Sequence, residues 1–255
     1  MNKTIDKDDL GIYVWTSDKN MVCLPAWAYL FNKFWPHETS VRVLGYSTPS
    51  FDLPKNFQFI SLGKQRGPEF WSDDMIGYYE SCAHDYFYAM WEDGFIIDYV
   101  DKEILTLATK VAFLNPNDKF LRFNLSLDTH RRKHSIVKSY DNYDLILADQ
   151  YSQYRQSTNH SIWSKEKFLS KLKKRQSPWE FELDNKISMN DGLMVFATKK
   201  KYAIRMGHGY KRGKKMPHWY DENSGSKEVA VGSGSRLSDI DIEYIEANGW
   251  MPEVL

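Results

Sequence analysis

"YFYAMWEDGFIIDYVD", residues 86–101, is the stretch on which the fold reading turns. Tyr86 to Trp91 run six apolar and aromatic residues without a polar break. That is the pattern of a strand buried on both faces, as in a parallel sheet covered on each side. Two acids, Glu92 and Asp93, follow at once, then Gly94 and a second apolar run. The question is why paired carboxylates end the most hydrophobic strand of the chain.

Upstream, "GIYVWT" at 11–16 reads as a strand and ends in the turn formers Ser17 and Asp18. "LPAWAYLFNKFW" at 24–35 reads as a helix with Pro25 in its first turn. "VRVLGY" at 41–46 and "FQFISLG" at 57–63 read as strands. "SDDMIGYYESCAH" opens a helix with Ser72 and two acids, which favour the positive end of a helix. The first hundred residues therefore alternate strand, helix, strand, strand, helix, strand. This predicts an α/β fold with a largely parallel, Rossmann-like central sheet flanked by helices.

Downstream, residues 101–114 read as helix, 119–127 as strand, and 144–163 as a short strand with a polar, Tyr-rich loop. "SKEKFLSKLKKR" at 164–175 is an amphipathic helix capped by Ser164, and "LMVFAT" at 193–198 is a late strand. "SGSKEVAVGSGS" has the composition of a flexible spacer. "LSDIDIEYIEANGW" closes as a helix with Ser238 as cap and Gly249 near its end. Residues 1–215 are expected to form one domain. Residues 216–255 are expected to be a flexible segment and a C-terminal helix that packs on it or extends from it.

Of the 255 residues, 42% are hydrophobic and 15% aromatic, enough for a sizeable core. Thirty-four basic residues balance 34 acidic ones, which argues against a dedicated nucleic-acid binder. "KKKYAIRMGHGYKRGKK" at 199–215 carries no acid, and reads either as a phosphate-holding segment or as a solvated loop. Cys23 and Cys82 lie in apolar runs and read as buried thiols of a reducing compartment. The opening "MNKTIDKDDLG" has no apolar signal core, and no stretch is apolar enough to span a bilayer. A cytoplasmic protein without stable membrane insertion is expected.

In open α/β sheets ligands bind beyond the carboxyl ends of the strands, where Ser17, Asp18, Glu92 and Asp93 all fall. Adjacent strand residues point to opposite faces, so Glu92 and Asp93 need not share one job. An Asp93 facing the crevice suits a hard divalent cation, Mn2+ or Mg2+, bridged to a diphosphate. Gly94 would let the backbone turn beside the ligand. The alternative is a pair of surface acids at a strand end.

Three stretches carry a family resemblance. They are "FWSDDMIGYYESCAHDYFYAMWEDGFIIDYVDKEIL" at 70–105, "YRQSTNHSIWSKEKFLSKL" at 154–172 and "SPWEFE" at 177–182. Their order resembles a nucleotide-sugar glycosyltransferase of the GT-A fold, of the kind common in bacteria and their phages. One departure is that Glu-Asp-Gly stands where a second Asp commonly follows, which bears on metal affinity. The resemblance implies a nucleotide-diphosphate sugar donor, first of all a UDP-sugar, and a manganese or magnesium ion. It also implies inverting, hexosyltransferase-like transfer to an acceptor hydroxyl on a glycan or a modified DNA base. Asp93, Glu92 and His208 are the metal candidates, His208 alternatively meeting the diphosphate. Ser17, Asp18 and Arg155 are donor-site candidates. Trp71, Ser72 and Asp73 either line the nucleotide pocket or cap a helix. Glu180 and Glu182 are the candidate bases. If their segment is extended they share a face; if Pro178 opens a helix, Glu180 supports that helix end. Trp179 and Trp163 read as sugar platforms or core. The rival readings are a metal-dependent nuclease or phosphodiesterase, and a non-catalytic carbohydrate-binding protein. A phage enzyme acting on DNA bases would add "HRRKH" at 130–134 as a phosphate contact.

Overall fold

The computed structural model describes residues 10–114, 118–126, 133–184, 189–208, 210–211, 214–215 and 237–250. The spacer at 224–235 and most of "HRRKH" lie outside them. The strands are β1 (Leu10–Trp15), β2 (Val41–Gly45), β3 (Phe57–Ser61), β4 (Tyr86–Trp91), β5 (Gly94–Ile96), β6 (Phe120–Asn124), β7 (His134–Ser139), β8 (Asp144–Ala148), β9 (Ser161–Ser164), β10 (Met194–Lys199), β11 (Met206–His208), β12 (Tyr210–Lys211) and β13 (Lys214–Lys215). The helices are α1 (Leu24–Phe34), α2 (Trp71–Tyr79), α3 (Lys102–Phe113), α4 (Lys165–Lys171), α5 (Pro178–Leu183) and α6 (Asp239–Ala247).

Among the described residues the main sheet has nine strands in the order β3-β2-β1-β4-β9-β6-β10-β8-β7. The first four are mutually parallel, because a helix or long connection returns the chain to the same edge each time. β9 enters reversed between β4 and β6, and β8 is reversed against β10 and β7. The other seven strands run one way, so the sheet is mostly parallel.

β4 sits between β1 and β9, and this explains its unbroken apolar run. Tyr88 and Met90 join the layer with Trp27 and Phe31 of α1 and Ile104 and Ala108 of α3. Phe87 and Ala89 join the opposite layer with Tyr79 of α2, Phe168 of α4 and Phe181 of α5. Period-two alternation is present, but both faces are buried, so it is invisible as a polar pattern.

Helix boundaries follow local chemistry where a cap is available. Ser164 accepts from Lys167 N at the start of α4, and Ser238 from Asp241 N at the start of α6. At the far end of α6 Gly249 has φ +64°, and Trp250 N donates to Ile245 O at 3.2 Å, the left-handed closure that glycine permits. Ser72 departs from expectation. α2 begins at Trp71, and the Ser72 hydroxyl instead accepts from Gln176 N at 2.9 Å. Among the described residues no helix is long and apolar enough to cross a membrane.

α6 rests on α1 through one buried carboxylate. Asp241 accepts from Tyr29 Oη at 2.7 Å and Lys33 Nζ at 2.5 Å, and pairs with the Ser238 hydroxyl. Burial alone would raise its pKa, but the Lys33 ammonium and the two hydroxyls outweigh it and hold it below the ordinary aspartate range. A depressed carboxylate pKa gives stability that is present above the unfolded value and lost as pH falls through the folded one. Asp241→Asn should therefore cost about 1–3 kcal/mol at pH 7. The gap to the wild type should narrow below about pH 4, as read by denaturant melts at both pH values.

Candidate active site at the carboxyl end of the central strand

The turns after β1, β2, β3 and β4 converge. Asp18 accepts from Ser47 N at 2.8 Å and Ser47 Oγ at 3.0 Å, and its own N–H donates to Gln65 Oε1 at 3.0 Å. Ser17 N donates to Glu92 Oε1 at 3.5 Å. Ser17 and Asp18 thus stand beside the acidic pair, as the sheet topology requires.

Glu92 is fully buried, and its Oε2 has no hydrogen-bond partner. Burial pushes its pKa well above the carboxylate range, and the like charge of Asp93 adds to this. Backbone N–H groups at 92 and 17 and the Thr16 hydroxyl pull the other way without winning. Asp93 is also raised by burial, with His208 opposing. The Cys23 thiol is pushed up by burial and then by the charges of both acids.

His208 arrives from far along the chain. β11 pairs antiparallel with β5, and this sets His208 opposite Gly94. The structure therefore brings Glu92, Asp93 and His208 into one neighbourhood. Among the described residues no three carboxylate, imidazole or thiol groups converge to ligand distance.

A second histidine, His160, was not singled out from the sequence. It is buried, and its Nε2 lies 2.9 Å from Gly94 O. A carbonyl only accepts, so Nε2 carries the proton and Nδ1 the bare lone pair. Nδ1 has no partner. Burial drives the imidazole pKa down to about 4, with His208 adding to the effect, so the ring is neutral. Trp27 Nε1 donates to the same Gly94 oxygen at 3.1 Å. Its place in "STNHSIW", just before β9, was the available sequence signal.

"SPWEFE" folds as a helix, not as an extended strand. Pro178 opens α5, and Ser177 and Glu180 form a reciprocal cap: Glu180 Oε2 accepts from Ser177 N at 2.8 Å and Ser177 Oγ at 2.7 Å. That cap holds the Glu180 carboxyl below its ordinary range. Positions two apart on a helix diverge by about 200°, so the shared-face arrangement of the two glutamates does not occur. Glu182 Oε1 instead accepts from Thr158 N at 2.5 Å, Thr158 Oγ1 at 2.7 Å and Ser157 Oγ at 3.2 Å. Thr158 and His160 are two residues apart, at most ~7 Å along the backbone. One short segment thereby links Glu182 to the turn that bears Asp93.

Several sequence candidates are engaged elsewhere. Arg155 is buried, pairs with Asp191 at 3.0 Å and donates to Asp149 O at 3.2 Å and to Leu193 O at 2.5 Å, so its guanidinium braces the interior. Trp71 is packed among Trp15, Trp91 and Phe181, and Trp163 lies in the same core layer. Asp73 accepts from Arg175 N at 2.7 Å, and with Ser72 it ties α2 to the segment leading into α5. Trp179 is exposed. In the basic run, Lys200, Lys201 and Arg205 pair with Asp144, Asp101 and Asp98. A hollow of about 320 Å³ lined by Asn32, Trp35, His37 and Asn56 lies at the opposite edge of the sheet, where β2 and β3 begin.

No protein-family model and no curated protein matches the chain. Among solved structures it is similar to the crystal structure of S. aureus TarS 1-349, with 12% identity and a TM-score of 0.45, over 77% of this chain and 59% of that one. The chain thus spans less than two thirds of that structure's length.

A raised carboxyl pKa makes the native state hold a proton that the unfolded state releases, so stability falls as pH rises above the unfolded value. Glu92→Gln should remove that penalty. Its stability should exceed the wild type's by a margin that widens as pH rises above the ordinary carboxylate range, as read by denaturant melts from pH 5 to pH 8. A margin flat across that range would contradict a protonated Glu92.

Proposed function

We propose that the chain is a glycosyltransferase that moves a sugar from a nucleotide-diphosphate donor to an acceptor hydroxyl, with the donor at the carboxyl end of β4. The observation that carries this reading is the Glu92–Asp93 pair. Glu92 is buried and Asp93 half-buried at the end of the central strand, with one Glu92 carboxylate oxygen unpartnered, where the parallel half of the sheet meets reversed β9. A buried orphan carboxylate oxygen beside a second carboxylate calls for a proton or a cation. The resemblance of residues 70–105, 154–172 and 177–182 to GT-A glycosyltransferases supports the same assignment.

The residues fit a divalent cation of the Mn2+ or Mg2+ type in donor chemistry. Such ions are held by one or two carboxylates, with substrate phosphates and waters completing the shell. Asp93 would be the ligand, with Glu92 behind it and His208 beside it. Once bound, the cation would neutralise charge on the departing diphosphate. Ser17 and Asp18, tied into the turns after β2 and β3, would shape the nucleotide side of the site. Glu182 takes the acceptor proton in this reading, its carboxylate fixed through Oε1 by Thr158 and Ser157. Attack from the face opposite the diphosphate would invert the anomeric carbon. Glu180 supports the helix end. Exposed Trp179, on the same helix, offers a flat face to a sugar. Pairing of Lys200, Lys201 and Arg205 with acids favours a glycan acceptor over DNA.

Two outcomes are expected. In thermal melts with a panel of nucleotide diphosphates and nucleotide sugars, one nucleotide, with UDP first, should stabilise the chain only when Mn2+ is present. At a hundredfold excess over its dissociation constant the gain should be about 2.7 kcal/mol, and Asp93→Ala should abolish it. In a sugar-transfer assay Glu182→Gln should lower turnover by about 10²–10⁴-fold. Glu180→Gln should leave turnover within a few-fold and lower stability slightly through the weakened cap. Equal losses in the two variants would contradict the assignment of the base.

A further inference from the structure

The geometry points to His160 as the positioning residue of the acidic turn, matched to Gly94. Its imidazole fills the volume that a side chain at 94 would take, and its Nε2–H fixes the Gly94 carbonyl that follows Asp93. This inference rests on the reading of Asp93 as the donor-site ligand.

Three observations carry it. First, a Cβ added at Gly94 would stand 2.7 Å from His160 Cε1 and 2.9 Å from Met206 Sδ. Position 94 is therefore closed to any side chain from two sides. The Glu-Asp-Gly ending of β4 follows from that: the ring from β9's edge stands where a third residue of the motif would project. Second, His160 is itself held rigidly. Its carbonyl accepts from Leu125 N at 2.9 Å, and Ser161, the next residue, pairs with Ala89 of β4 on one side and Asn124 of β6 on the other. Third, the bond it makes reaches the carbonyl of Gly94, the residue that follows Asp93. Held at its carbonyl and packed against the ring, Gly94 restrains the backbone next to Asp93 and so limits where its carboxylate can be carried, much as outer partners orient a metal's ligands.

The test is Mn2+ binding to the full chain, read by the electron paramagnetic resonance of free Mn2+, with far-UV circular dichroism as the check on folding. His160→Ala should weaken Mn2+ binding by about 10–100-fold while the chain still melts cooperatively. His160→Gln places an amide nitrogen where Nε2 lies and should restore binding to within a few-fold of the wild type. His160→Asn places its nitrogen where Nδ1 lies and should not. If His160→Ala fails to fold, the Gln and Asn variants decide the matter by themselves. Wild-type affinity in His160→Ala, or equal affinity in Gln and Asn, would overturn the positioning role and leave the donor site intact. Absence of Mn2+ binding by the wild type would overturn the donor-site reading, and His160's role with it.

Discussion

Two buried ring N–H groups, Trp27 Nε1 and His160 Nε2, end on one oxygen, the carbonyl of Gly94. A carbonyl has two lone pairs, and inside a protein both donors would be costly if unmet. The bond from Trp27 ties the turn after β4 to α1, and the bond from His160 ties it to the start of β9. Because β9 is clamped between β4 and β6, the turn inherits the rigidity of the sheet. The acids that precede Gly94 are therefore displayed on a fixed frame, although they sit in a connection between strands.

That frame holds groups that gain nothing from burial. Glu92 has an unpartnered oxygen and His160 an unpartnered nitrogen, each costing on the order of 1–3 kcal/mol. The surrounding core offsets this. Trp15, Trp71, Phe168 and Phe181 pack edge to face or stacked beneath one side of the sheet, and Trp27, Phe31 and Trp35 stack on the other. Local violations of the rule that buried polar atoms are bonded concentrate where a chain does chemistry. Unpartnered buried atoms also occur on Trp71, Gln156 and Trp163, but Glu92 Oε2 and His160 Nδ1 flank a single turn that also carries Asp93, which is why the site is read there and not at the hollow lined by Asn32 and Asn56.

The parallel half of the fold was legible because its signals are local. Strands β1 to β4 are apolar runs bounded by turn residues, and caps such as Ser164 and Ser238 act within three residues. The reversed entry of β9 was not legible, since its partners on β4 and β6 are chosen by tertiary packing. The same holds for "SPWEFE". Glu180 and Glu182 fit an extended segment and a helix equally well by type, and the Ser177–Glu180 cap settled it for the helix. The pairing of Asp93's turn with His208 depends on β11 returning to β5, and His160's role on a contact across 66 positions. Arg155 shows the opposite failure: a residue type suited to phosphate is consumed by Asp191 and three carbonyls of the interior. Residue type alone carries no information on which way a side chain faces.

The most direct test of the central claim is a crystal structure of the chain grown with Mn2+ and UDP, with the ion located by its anomalous scattering. The account predicts one Mn2+ peak within about 2.5 Å of an Asp93 carboxylate oxygen, bridged to the diphosphate. A peak remote from Asp93, or a nucleotide seated at the Asn32–Asn56 edge of the sheet, would contradict it.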